Sequence, residues 1–196
     1  MFDLFMKVMR PASSSSVLDI GVTPDESLPE SNYFEKLYPY KDRIVAASIE
    51  DASFLEKAYP GLRFVMIGRD GRLPFADDQF DILFCSAVLE HVGDTESQRK
   101  FIGECIRVSR SFFITTPDRR FPVEFHTILP FLHWLPRSLH QAALRGLGLG
   151  FWASTENLNL LTPKEFTSLV PPVAELSVFK CKTLGLPSNV VISGRK

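Results

Sequence analysis

Four histidines, His91, His126, His133 and His140, are the natural proton carriers of the sequence, because imidazole titrates near neutral pH. His126 stands in V-E-F-H-T, two residues after Glu124, and is the first candidate for taking a proton from a hydroxyl acceptor; His91 is the second. His133 and His140 are spaced to share a helix face, but no carboxylate at ligand spacing completes a metal site, and no metal is expected. Arg119 and Arg120 offer charge for an anionic acceptor. A second set gathers where short apolar runs end: Asp19 and Gly21; Ser48, Glu50 and Asp51; Asp70, Gly71 and Arg72; Cys85, Ser86, Glu90 and His91. Glycine lets a ligand approach the backbone, and carboxylates accept from ribose hydroxyls or an exocyclic amine.

Each of these residues also has a plain structural reading. Asp19 can cap a turn, Gly21 can serve a positive φ, Ser48, Glu50 and Asp51 can cap a helix, Asp70-Gly71 is a common turn dipeptide, and Arg72 can be a solvated turn residue. What decides is the set of elements that would hold them together.

Val17 to Ile20 reads as a short buried strand closed by Gly21, and the following G-V-T-P-D-E has Thr23 and Asp25 where a cofactor loop usually carries glycines. Ser31 is a candidate N-cap for a short helix over Tyr33, Phe34 and Leu37 that stops at Pro39. R-I-V-A-A-S (43–48) is a second strand, followed by a helix carrying Phe54, Leu55 and Ala58 and stopped by Pro60-Gly61. L-R-F-V-M-I (62–67), F-D-I-L-F-C-S (80–86) and S-F-F-I-T-T (111–116) are further strands, with a helix from Asp94 to Val108 that buries Phe101, Ile102, Cys105 and Ile106. E-L-S-V-F-K-C-K and N-V-V-I-S make a closing antiparallel edge hairpin. Strands alternating with helices predict an α/β fold, a doubly wound, mostly parallel sheet of seven strands, whose ligands sit outside the strands' carboxyl ends.

One domain spanning 1–196 is expected, with a helical lid inserted at about 117–165, where Phe121, Phe125, Phe131, Trp134, Phe151 and Trp152 are interrupted by prolines; most of these aromatics are expected to form the lid's own core. The opening M-F-D-L-F-M-K-V-M-R predicts a short amphipathic helix packed on the domain. With 45% hydrophobic and 23% charged residues and a net charge of -1, the composition is globular and gives no reason to expect nucleic acid as a partner. Cys85, Cys105 and Cys181 are isolated, no run is long enough to span a membrane, and a cytoplasmic location is expected. No Gly-x-x-x-x-Gly-Lys-Ser/Thr loop supports a triphosphate cradle, and the absence of G-x-G-x-x-G places a dinucleotide oxidoreductase last.

V-L-D-I-G, D-G-R-L-P-F-A-D-D-Q-F-D-I-L-F-C-S-A-V-L-E-H-V and R-V-S-R-S-F-F-I-T-T-P together resemble the class I S-adenosylmethionine-dependent methyltransferases of small-molecule type, over Val17 to about Pro117. The resemblance implies their Rossmann-like fold and S-adenosylmethionine as cofactor. It implies Asp19 and Gly21 near the methionine part of the cofactor, Asp70 on the adenine amine with Gly71 and Arg72 offering backbone contacts, Ser86 beside the sulfonium, and Glu90-His91 beside the acceptor. The family's ribose-clasping acid falls on Ser48, leaving Glu50 or Asp51 as substitutes. The implied activity is methyl transfer to a small or carrier-linked molecule; the alternative is a non-catalytic relative that acts through a protein partner.

Overall fold

Val17–Ile20 (β1) is buried along its whole length, which a strand tolerates only with neighbours on both sides and helices on both faces. In the computed structural model, which describes residues 1–196, it lies between Ile44–Ser48 (β2) and Phe80–Ser86 (β4), parallel to both. Arg63–Met66 (β3) extends the sheet beyond β2, and Ser109–Pro117 (β5) beyond β4. Glu175–Thr183 (β6) and Leu186–Arg195 (β7) run antiparallel, giving seven strands in the order β3-β2-β1-β4-β5-β7-β6. The expected sheet is present. Strand order reverses between β1 and β4, so a crevice opens at their carboxyl ends.

On one face, Leu18, Ile20, Leu83, Cys85, Phe112 and Ile114 pack against Thr95–Val108 (α4) and Pro163–Leu169 (α6). Asp94 caps α4 by accepting from the Ser97 N–H at 2.8 Å, and Thr162 and Glu165 form a capping box on α6. On the other face, Phe2–Met9 (α1), Tyr33–Leu37 (α2) and Phe54–Ala58 (α3) cover Val17, Ile44, Phe84 and Phe113. The expected amphipathic α1 delivers Phe5 into this layer, edge-on to Phe34, Phe84 and Phe113 at 5.1–5.5 Å.

Three expectations need correction. The cap of α2 is Asn32, in a left-handed conformation, and not Ser31. The same helix buries Glu35 and leaves Leu37 exposed, because its register is set by Phe34 docking on Phe84 and not by its own apolar face. In the segment after β5, Phe121 is the sole buried aromatic: this stretch holds only Arg137–Gly146 (α5) and short 3-10 turns at Leu132–Trp134 and Gly150–Ala153, which bury Leu144, Ala153, Leu158 and His133 instead.

Candidate functional site at the carboxyl ends of the strands

Gly21 leaves β1 with φ 108°, and a Cβ there would lie 2.1 Å from Cγ2 of Val88, so no other residue fits. The loop beyond it has no further glycine and is shaped by side chains. Asn32 Oδ1 accepts from the Thr23 N–H at 2.9 Å, and its amide donates to the Thr23 carbonyl and to Glu26. Thr23 Oγ1 accepts from the Asp25 N–H, and Asp25 from the Ser27 N–H.

Beside this loop two acids are buried together. Asp19 on β1 and Glu35 on α2 are near enough that each influences the other's ionisation; neither Glu35 carboxyl oxygen has a hydrogen-bond partner, and the Lys41 ammonium donates to the Glu35 backbone carbonyl instead. Burial, then the neighbouring carboxylate, pushes Asp19 well above the usual carboxylate range; burial also raises Glu35. Both carboxyl groups thus resist ionisation in the folded chain. Next to it the Tyr33 phenol donates to Ser86 Oγ at the end of β4, 3.1 Å away, and burial pushes that phenol upward.

Of the residues expected at this edge after β2 and β3, all but Ser48 lie on exposed turns. Ser48 is buried and its hydroxyl accepts from the Glu50 N–H. Glu50 and Asp51 are exposed, and Asp51 accepts from the Ser53 N–H ahead of α3. Asp70 accepts from the backbone of Arg72, with Gly71 at φ 79° between them.

A second polar cluster forms where the 3-10 turn Leu89–His91 after β4 meets the segment after β5. Glu90 is fully buried; one of its oxygens accepts from Thr116 Oγ1 on β5 at 2.9 Å, and the other has no partner. Its backbone carbonyl accepts from the Asn159 N–H, and Asn159 and Gln98 complete a buried network with Leu89 and Gly93. His91 is exposed, and its Nδ1 is 2.7 Å from the Asn157 carbonyl, which fixes the proton on that nitrogen. The rings of His91 and His126 are perpendicular with centroids 4.7 Å apart, and Trp152 lies against His126 at 4.8 Å.

Glu124 organises its own turn. Its carboxylate accepts from His126 Nδ1 at 2.6 Å, from the His126 N–H, and from the Thr127 N–H and hydroxyl. Burial alone would raise this acid; the four donors outweigh it and hold it down to about 2. For His126 burial lowers the imidazole, but contact with Glu124 wins and the net shift is upward. The turn ends with Ile128 at φ 58°, a strained conformation for a β-branched residue.

The two first-choice histidines therefore come together with Glu90, and the other two do not join them. His133 is in a 3-10 turn and His140 on α5, so they share no helix face; both line a cleft of about 30 Å³ with Arg119, Arg137 and Trp152, and burial lowers both. Arg119 donates to the carbonyls of His133 and Leu135, and Arg120 makes a two-toothed contact with buried Asp118, so both guanidiniums are engaged within the chain. Sequence reasoning missed Glu35, Thr116, Asn157, Asn159 and Gln98. Only Asn159 left a trace, as a polar residue inside the apolar run L-N-L-L.

Residues 30–111 match the model of a methyltransferase domain. No curated protein sequence matches the chain. Among solved structures, a SAM-dependent methyltransferase from Methanosarcina mazei is similar at 15% identity and TM-score 0.57, covering 97% of this chain and 96% of that one. The YcgJ protein of Bacillus subtilis gives 16% and 0.60, covering 99% and 97%. The Burkholderia thailandensis 1,6-didemethyltoxoflavin-N1-methyltransferase, solved with 1,6-didemethyltoxoflavin and S-adenosylhomocysteine, gives 12% and 0.61, covering 99% and 75%. The fold is that of S-adenosylmethionine-dependent methyltransferases.

Proposed function

From a chain with this fold, whose residues 30–111 match a methyltransferase domain, we infer an enzyme that transfers a methyl group from S-adenosylmethionine to a small or carrier-linked acceptor. The observation that carries the reading is the Asp19–Glu35 pair. Two buried carboxyl groups, near the carboxyl end of β1 and beside the one indispensable glycine of the loop, whose only nearby ammonium, Lys41, is spent on the Glu35 backbone carbonyl, suit a ligand that brings positive charge. S-adenosylmethionine carries an ammonium and a sulfonium, so the residues fit the group.

Asp19, Gly21 and Glu35 would hold its methionine part, Glu50 and Asp51 its ribose, Asp70, Gly71 and Arg72 its adenine, and Ser86, oriented by Tyr33, the region of the sulfonium. Ser48 contributes by shaping the Glu50 turn. The cofactor supplies an electrophilic methyl group, and methyl transfer is a direct displacement. The chain's tasks are to align the acceptor, exclude water and manage the acceptor's proton, which falls to His126 and His91. Residues 117–165 act as the lid over the acceptor, and their aromatics favour an acceptor with apolar or ring character.

Calorimetric titration with S-adenosylhomocysteine tests this reading: one-to-one micromolar binding is expected, weakened about tenfold or more in Asp19→Asn. Absence of binding would overturn it. The second reading, a methyltransferase-like protein acting through a protein partner, then leads; its support is the outward-facing Phe131, Trp134 and Phe151.

A further inference from the structure

We propose that Glu90, His91 and His126 bind a divalent first-row transition-metal ion. Their ligand atoms, one from each side chain, lie within 4.8 Å of one another. Metal-ligand bonds of about 2.0–2.2 Å place ligand atoms about 3–4 Å apart around one ion, so each side chain needs to close by only about 1 Å. Two imidazoles and one carboxylate with open positions are the donor set of such ions, as against the all-oxygen shells of magnesium and calcium.

Three features show a built site and not a chance meeting. The free Glu90 oxygen is buried without any donor, while Thr116 fixes the other. Each histidine spends its Nδ1 on an acceptor, His91 on the Asn157 carbonyl and His126 on the Glu124 carboxylate, which leaves both Nε2 lone pairs for an ion. That second pair is the carboxylate–histidine arrangement that orients metal ligands. His91 is exposed, which provides an entry path.

The ligands come from separate stretches, two adjacent residues after β4 and one residue beyond β5, which is why spacing along the chain hides the set. Metal binding stands apart from the methyl-transfer reading; the ion's use in catalysis rests on it. In that use an acceptor hydroxyl on the open position loses its proton to solvent, its oxygen attacks the methyl carbon, and the carbon–sulfur pair stays on sulfur. With the ion bound, His126 and His91 are ligands and give up the proton-carrying role assigned to them above, and the ion does the acidifying.

The test is titration of the metal-free full chain with cobalt(II), followed by its visible ligand-field absorption and by calorimetry. One-to-one binding with bands of a nitrogen-coordinated ion, displaced by zinc, is expected. His126→Ala and His91→Ala should each weaken it at least about 100-fold, Glu124→Gln about 10–100-fold, and His133→Ala not at all. Circular dichroism of each variant identifies any that fail to fold; exposed His91 keeps the test decisive if Glu124→Gln does. No cobalt binding, or binding unchanged in folded His91→Ala, overturns the metal site. Titration with S-adenosylhomocysteine is read separately, so loss of one signal leaves the other intact.

Discussion

Asp19 and Glu35 meet acid against acid with no donor from the chain on either Glu35 oxygen, whereas Glu124, as deeply buried a carboxylate, has four donors around it. One pair is raised and the other acid is lowered, although burial opposes ionisation at both. The difference separates two uses of a buried charge. Glu124 is satisfied by the fold and so serves to hold a turn and a ring. The Asp19–Glu35 pair is left unsatisfied by the fold, at a cost to stability, and so is poised for something brought from outside.

The sharpest break in that contrast is Glu124→Ala, which strands the His126 and Thr127 donors; a loss of about 3 kcal/mol is expected in urea unfolding. A loss below about 1 kcal/mol would mean the turn is solvated. Glu35→Gln should act in the opposite direction and gain about 1–2 kcal/mol at pH 8. Both groups of the pair have folded values raised above the unfolded ones, so their contribution is intact below about pH 4 and is lost as pH rises through the folded values. The gap in melting temperature between variant and parent should therefore open from acid to alkaline pH. A constant gap would mean that folding does not raise the pair. Thr116→Val, which removes one donor from Glu90, is expected to cost about 1 kcal/mol by the same unfolding measurement. At the bottom of the scale Glu96→Gln, an exposed partner of Lys100 on α4, should change stability by less than about 0.5 kcal/mol and calibrate the rest.

What sequence discloses follows the same division. β4 and α4 are legible because periodicity is local, and the two adjacent residues Glu90 and His91 are visible as a dipeptide after a strand. Glu35 is not legible: its own helix has Tyr33, Phe34 and Leu37 as the obvious apolar set, and only the docking of Phe34 on Phe84 turns the acid inward. The pairing of His126 with Glu124 is written two residues apart in the chain, but its meeting with His91 depends on how residues beyond β5 fold back over β4. The aromatics at 125, 131, 134 and 151 look like a core by composition; the elements there are too short to enclose them.

The ring of Phe5 touches Phe34, Phe84 and Phe113, so α1 is fastened by strands made much later than itself. At synthesis speeds of roughly 5–20 residues per second, α1 waits several seconds on the ribosome before β5 emerges to receive it. Its docking is a long-range event that can follow only after the strands it seats on have been made.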